Sequence, residues 1–298
     1  MGGDRSPNQV GEPSVGDFAL SPLAGPGRGL SLSTGRLLAL IAMAAVALVG
    51  CANVKPSVPL RVNAAGSRFA VSLTHQVVNE ASGHDFALEN LTTTDLSRIS
   101  TLLPGPKTVI TVTVGNPDQI LAPVGVSGFT DPETGAITVG LYPFWTDEPS
   151  TLTSGLARTL AREVDRSVRI TSGAGLGKSL LDQLVTDGIA SAFGQFAFPG
   201  PPDPWVGALS AGQECQQWRL IQPVLRRDGF HGEVLSGGSV SRALFGESTM
   251  PALTGQTIGY DIVSDYLARN PGKSWSVLAR TPSRDILRGS GYAPCSTS

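Results

Sequence analysis

The sequence predicts an α+β fold: a small, mostly antiparallel sheet packed on a central helix, with a helical part towards the C-terminus. Three observations predict it. Thr108 to Val114 alternates, Ile110, Val112 and Val114 on one face and Val109, Thr111 and Thr113 on the other, which is the period of a strand. Ala136 to Leu141 alternates likewise through Ile137, Val139 and Leu141, after the turn-forming run Asp131-Pro132-Glu133-Thr134-Gly135. Leu156, Leu160, Val164 and Val168 then recur at every fourth position, which sets them in one stripe along a helix.

The outer limits come from composition. A chain of 298 residues that is 41% hydrophobic and 15% charged can bury one sizeable core or two modest ones. Its net charge of −2, with no run of Lys or Arg, gives no electrostatic case for a nucleic-acid partner.

In chain order, residues 1–36 are rich in Gly, Pro and Ser without apolar periodicity, so they read as a disordered extension and signal n-region. The length of that n-region points to a translation start further downstream. Leu37 to Val49 is an apolar run preceded by Arg28 and Arg36; it suits a signal h-region and falls short of the roughly 20 residues of a spanning helix. It ends Leu48-Val49-Gly50-Cys51, the shape of a bacterial lipobox. Cys51 is therefore expected to be lipidated, with palmitate, as the mature N-terminus of a membrane-anchored extracytoplasmic lipoprotein. The alternative is a short buried helix followed by an unrelated Cys. Residues 52–67 read as a polar tether and 68–298 as the folded domain.

Within that domain, Phe69, Val71 and Leu73 give a weak strand signal. Thr94 or Asp95 is expected to cap a helix presenting Leu96, Ile99 and Leu103, stopped by Pro104-Gly105-Pro106. The central helix is expected to start at Thr153 or Ser154 and to end before Ser172-Gly173. A second helix follows from Ser179, its apolar positions running from Leu181 to Phe196, and it stops at Pro199. Further helices are expected over Glu214 to Arg226 and Thr257 to Arg269. Export leaves Cys215 and Cys295 in an oxidising compartment, where an even pair reads as a disulfide closing a loop of about 80 residues. Two separate buried thiols are the alternative.

Three kinds of chemistry are poorly supported. Ser172-Gly-Ala-Gly-Leu-Gly-Lys-Ser179 differs by one residue from a phosphate-binding loop, but a helix rather than a strand leads into it. No Gly-x-Ser-x-Gly elbow occurs, and Gly289-Ser290-Gly291 has no strand-turn-helix context. The histidines His75, His84 and His231, even with Glu80 or Asp85 nearby, have scattered spacing and share no helix face, so they read as ordinary histidines.

What remains is the central helix itself. A zinc-peptidase helix carries His-Glu-x-x-His, because a four-residue step puts two imidazoles on one face beside the general-base Glu. Here that frame reads Arg162-Glu163-Val164-Asp165-Arg166. The stretch Leu156 to Phe198, with Pro204-Trp205, Gln256 to Val263 and Ser274-Trp275, resembles a bacterial family of predicted zinc-dependent proteases of gluzincin-like type. The likeness covers roughly residues 68–292 and is strongest over 156–280. In that family the next helix carries Ser-Leu-Leu-Asp-x-Leu-x-x-Glu-Gly; this chain has Ser179-Leu180-Leu181-Asp182-Gln183-Leu184-Val185-Thr186-Asp187-Gly188.

The resemblance implies a zincin-like fold. It puts Arg162 and Arg166 at the two His ligand positions, Glu163 at the general base and Asp187 at the carboxylate ligand. Guanidinium has no free lone pair, so zinc is expected to be lost and zinc-dependent proteolysis with it. Two arginines with Glu163 and Asp187 are as neutral as zinc with two imidazoles and two carboxylates. An ion-pair cluster of these four side chains is therefore expected in the old site, the alternative being arginines that point into solvent. The implied function is a pseudoprotease that binds a peptide or protein in the old cleft. A metal-independent hydrolase using Glu163 with Tyr260, a candidate cleft residue, competes with it, as does a structural envelope lipoprotein without a ligand.

Overall fold

The computed structural model describes residues 62–64, 68–74, 76–77, 88–115, 125–142, 149–172, 174, 179–226, 251 and 253–295. The chain divides into Met1–Lys55 and Pro56–Ser298, and all the described residues lie in the second unit. The expected signal segment, Cys51 and the three histidines fall outside the described residues.

The α+β class holds. The strands are β1 (Val62–Ala64), β2 (Phe69–Leu73), β3 (Thr108–Val114), β4 (Val126–Thr130) and β5 (Ile137–Leu141). They form one sheet in the order β1-β2-β3-β5-β4. The sheet is mixed where a mostly antiparallel one was expected. Its inner junctions are parallel, with Val71 beside Ile110 and Val112 beside Val139, while β1 on β2 and β4 on β5 are antiparallel. The reason is the crossover. Between β2 and β3 the chain passes through helix α1 (Leu88–Leu102), the kind of long connection that parallel neighbours require. The expected turn at Asp131 joins β4 to β5 as a hairpin: Asp131 Oδ1 accepts from the N–H of Glu133 at 2.8 Å and of Thr134 at 2.9 Å, and Gly135 takes φ +72°. That hairpin places β4 at the sheet's edge.

Several boundaries differ from expectation, among them the helices expected over Glu214 to Arg226 and Thr257 to Arg269, which run over Ala211–Ile221 and Thr254–Arg269. Strand order begins before Arg68, because Val62–Ala64, expected in the tether, pairs with β2. Thr94 and Asp95 lie inside α1 rather than capping it. Helix α1 starts upstream at Leu88, and Asp95 is buried, its carboxyl pushed up to about 6 by desolvation, with Arg98 opposing the shift. The central helix α2 (Pro149–Thr171) starts before Thr153, with Pro149 at its first position, where a fixed φ and a missing N–H cost nothing.

After α2 come α3 (Leu180–Ala197), α4 (Ala211–Ile221), a 3₁₀ turn (Gln222–Val224), α5 (Thr254–Arg269), α6 (Trp275–Leu278) and α7 (Ser283–Ser290). The second helix starts where expected, with Ser179 as its cap, whose Oγ accepts from the Asp182 N–H at 3.2 Å. Leu156, Leu160, Val164 and Val168 are all buried and pack with Phe69, Ile110, Val112, Ile137 and Val139 in a first core between sheet and helices. At about 1.5–3 kcal/mol per fully buried Leu or Val, this stripe is what seats α2 on the sheet. A second core gathers α3, α4, α5 and α7 around Leu184, Ile189, Ile258, Ile262 and Ile286. Trp275 touches both cores, its ring 5.2 Å from those of Phe193 and Phe196.

Helices α3 and α5 cross backbone to backbone. A Cβ on Gly188 would come within 2.0 Å of the Gly259 carbonyl oxygen, and one on Gly259 within 2.2 Å of that of Leu184. Only glycine fits at either position. Cys215 on α4 and Cys295 form a disulfide 80 residues apart in sequence; the loop-entropy model gives such a closure roughly 4 kcal/mol. Among the described residues no helix is long and apolar enough to cross a membrane.

Candidate functional site

Helix α2 is enclosed on nearly every side, which sets the electrostatics of its polar residues. Arg158, Arg162, Glu163, Asp165, Ser167 and Arg169 are all buried. Such groups persist in a low-dielectric interior only when paired or hydrogen-bonded.

Glu163 faces the edge strand. Its Oε2 accepts from Thr130 Oγ1 at 2.7 Å, and that hydroxyl also reaches the Glu163 carbonyl at 3.1 Å. Gly128 on the same strand leaves the room, since a Cβ there would come within 2.6 Å of the Glu163 side chain. Glu163 Oε1 accepts from Arg166 Nη1. The same guanidinium turns to α3, where its Nε donates to Asp187 Oδ1 at 3.0 Å and Nη2 to the same oxygen. Burial opposes the Arg166 charge, but Asp187 and Glu163 outweigh it, so its protonation is held more firmly than usual.

Arg162 does not join that bridge. Its guanidinium lies over the Trp205 ring, 4.7 Å from the centroid, with Nη1 4.0 Å from Asp203 Oδ2 and Nη2 donating to Thr159 Oγ1 at 3.3 Å. Burial pulls its pKa below the ordinary arginine value, and Asp203 partly restores it. Arg158, one turn earlier, donates to Asp203 Oδ1 at 3.1 Å, Phe198 O at 2.9 Å and Pro201 O at 2.6 Å. The expected four-membered cluster is thus a six-membered one in two patches. Arg166 takes Glu163 and Asp187, Arg158 and Arg162 take Asp203, and three guanidiniums balance three carboxylates.

Arg158 was legible as the same four-residue step continued backwards from Arg162 and Arg166. Asp203 and Thr130 carried no sequence signal, because a loop and a strand outside the helix frame bring them in. Tyr260 is half-buried against the second core, and no hydrogen bond joins it to Glu163 among those made by the described residues.

Two further ionisable residues of α2, Asp165 and Arg169, are buried. Asp165 is fully buried and, among the described residues, neither carboxylate oxygen has a hydrogen-bond partner. Desolvation pushes its pKa up to about 7, with Arg169 and Arg166 opposing the shift and Glu163 adding to it. Arg169, equally buried, donates to the carbonyls of Leu278 and Ala279 at 3.3 and 3.2 Å and to Thr186 Oγ1 at 3.2 Å. It fastens the segment after α6 to the central helix.

The sequence family described as "Predicted Zn-dependent protease (DUF2268)" matches residues 88–288, which include α2, α3 and the whole of this ion network. The chain belongs to that family. Neither the curated proteins nor the solved structures yield a match. In this member of the family, however, the side chains do not fit zinc. Catalytic zinc takes three protein ligands from His, Asp, Glu or Cys, and Arg162 and Arg166 have no lone pair to give. The two carboxylates left, Glu163 and Asp187, already hold Arg166. Among the described residues no three His, Cys, Asp or Glu side chains converge.

Proposed function

We propose that this chain is a proteolytically silent member of its family, a zincin-like pseudoprotease held outside the cytoplasm by a lipid anchor at Cys51. The observation that carries the first part is the Arg166 bridge. One guanidinium satisfies both carboxylates that a catalytic metal would need, and a cation brought to the same place would meet its repulsion. The anchor rests on the lipobox-like Leu48-Val49-Gly50-Cys51 after an apolar run. Its expected consequence is simple: Cys51→Ser moves the protein from the membrane fraction to the soluble fraction. Fractionation of cells expressing both forms checks this, and an unchanged distribution removes the anchor.

A protein of this kind acts by binding, and its partner on this reading is a peptide or protein held beside the old centre. Glu163 is unsuited to metal-independent hydrolysis, since it is fully buried with one oxygen on Thr130 and the other on Arg166. A second reading, a structural envelope lipoprotein without a cleft ligand, is favoured by one observation. Arg162 and Trp205 are stacked and buried, at 8% and 3% exposure, so they fill the space beside the bridge.

Metal content separates silence from activity. After dialysis against zinc, the natural protein is expected to hold none, and Arg162→His, Arg166→His about one equivalent through the two imidazoles and Asp187. Stoichiometric zinc in the natural protein, or proteolysis that a chelator abolishes, overturns the proposal.

A further inference from the structure

A pocket of about 610 Å³ opens past the C-terminal end of α2, between the start of α3, the 3₁₀ turn and α7. Arg226, just after the 3₁₀ turn, and Arg280 and Arg284, on either side of the start of α7, line it, and all three are exposed. None of them forms an ion pair among the described residues; the pairs recorded there belong to Arg158, Arg162, Arg166 and Arg288. Asp182 is the one carboxylate among the lining residues, and the Ser179 hydroxyl already donates to it at 2.6 Å.

Two further features aim donors at the same space. Helix α7 has Pro282 as its N-cap and no side-chain cap; the Asp285 N–H bonds back to the Pro282 carbonyl at 2.9 Å, which leaves the Ser283 and Arg284 N–H groups and the positive end of the dipole for an outside acceptor. Ser283, in that first turn and lining the pocket, is only 3% exposed, and its hydroxyl has no partner among the described residues. A buried hydroxyl without a partner costs stability unless something occupies the pocket and bonds to it.

From this combination we infer that the pocket binds a phosphate group. Three unpaired guanidiniums around one cavity, an uncapped helix start and an idle hydroxyl supply the charge and the several donors that a tetrahedral dianion accepts. The site is independent of the vacated centre and of the anchor. It is also not a nucleotide-binding loop of the usual strand-loop-helix kind, since α2 leads directly into the Gly-rich connector. The phosphate comes either from a soluble phosphorylated compound or from an anionic lipid headgroup.

The test is calorimetric titration of the full chain with inorganic phosphate at low ionic strength. Saturable one-site binding is expected, weakened about tenfold or more by Arg284→Gln and by Arg226→Gln with Arg280→Gln, on the scale of one charge-assisted hydrogen bond. Arg288→Gln is the control, because Arg288 lies on the same helix but pairs with Asp285 at 2.8 Å. Circular dichroism of each variant shows that these exposed positions leave the fold intact. A second arm adds Cys51→Ser protein to phosphatidylcholine vesicles with and without phosphatidic acid. Capture that needs phosphatidic acid and is competed by phosphate identifies the lipid source, and its absence beside phosphate binding identifies a soluble one. Failure to bind either probe, or binding that the pocket arginines do not affect, overturns the inference.

Discussion

Asp165→Asn is expected to raise the melting temperature at pH 8 and to shrink the loss of stability that the natural protein shows between pH 4 and pH 8. Asp165 is fully buried, neither of its oxygens has a hydrogen-bond partner among the described residues, and its pKa in the folded chain is about 7, against about 3.9 for an exposed Asp. Between those two values the unfolded chain has released the proton and the folded chain still holds it. The folded state then binds more protons, so stability falls as pH rises through this window and levels off above about 7. Three pKa units correspond to about 4 kcal/mol, or about 10 °C in a chain of this size. Asn imitates the neutral carboxyl and leaves Arg169 its carbonyl acceptors at Leu278 and Ala279. Asp95 and Asp261, raised to about 6 and about 7, act in the same direction, and the slope remaining in the variant belongs to them. Thermal melts of both proteins at intervals from pH 4 to pH 8 make the comparison; two parallel profiles would mean that Asp165 is not the group responsible.

That pair also marks where sequence reading stops. Leu156, Leu160, Val164 and Val168 repeat locally, so one helix face and its burial follow from spacing alone. The alternation in Thr108 to Val114 likewise located β3. Strand direction did not follow, because a parallel junction depends on where α1 returns the chain, and no residue within a strand encodes that. β4 was missed because Ser127 and Gly128 break the apolar alternation, and Gly128 is there to leave room for Glu163. The Arg162-Glu163-x-x-Arg166 frame and Asp187 were legible as a site because a motif fixes their mutual positions. The division of labour between the arginines was not, since Asp203 and Trp205 come from a loop that nothing local ties to α2. For Asp165, the i, i+4 step to Arg169 looks like an ordinary surface pair; only the packing around α2 buries both groups.

Asp187→Ala is expected to cost about 3 kcal/mol, on the scale of the charge-assisted hydrogen bonds that Asp187 accepts from Arg166, and to lower the melting temperature by roughly 10 °C. Arg166 is 22% exposed at its side chain and Asp187 13%, so solvent cannot replace the lost carboxylate. Arg166 keeps Glu163, so the cost lies in the two charge-assisted hydrogen bonds lost at its Nε and Nη2, and Glu163→Gln, Arg166→Met, Asp187→Leu together should recover much of it by removing every group that needs a partner there. An unchanged melting temperature for Asp187→Ala would show that the bridge does not hold α2 to α3. The same reasoning ties stability to the missing chemistry. Arg166 supplies the positive charge that Glu163 and Asp187 require, and a variant that binds zinc there must first give it up. Arg162→His, Arg166→His should therefore be less stable than the natural protein without metal. Zinc should raise its melting temperature with concentration, as binding to the folded state alone requires, while leaving the natural protein unaffected. A zinc-dependent shift in the natural protein would mean that the guanidinium yields to the metal and that the site still works.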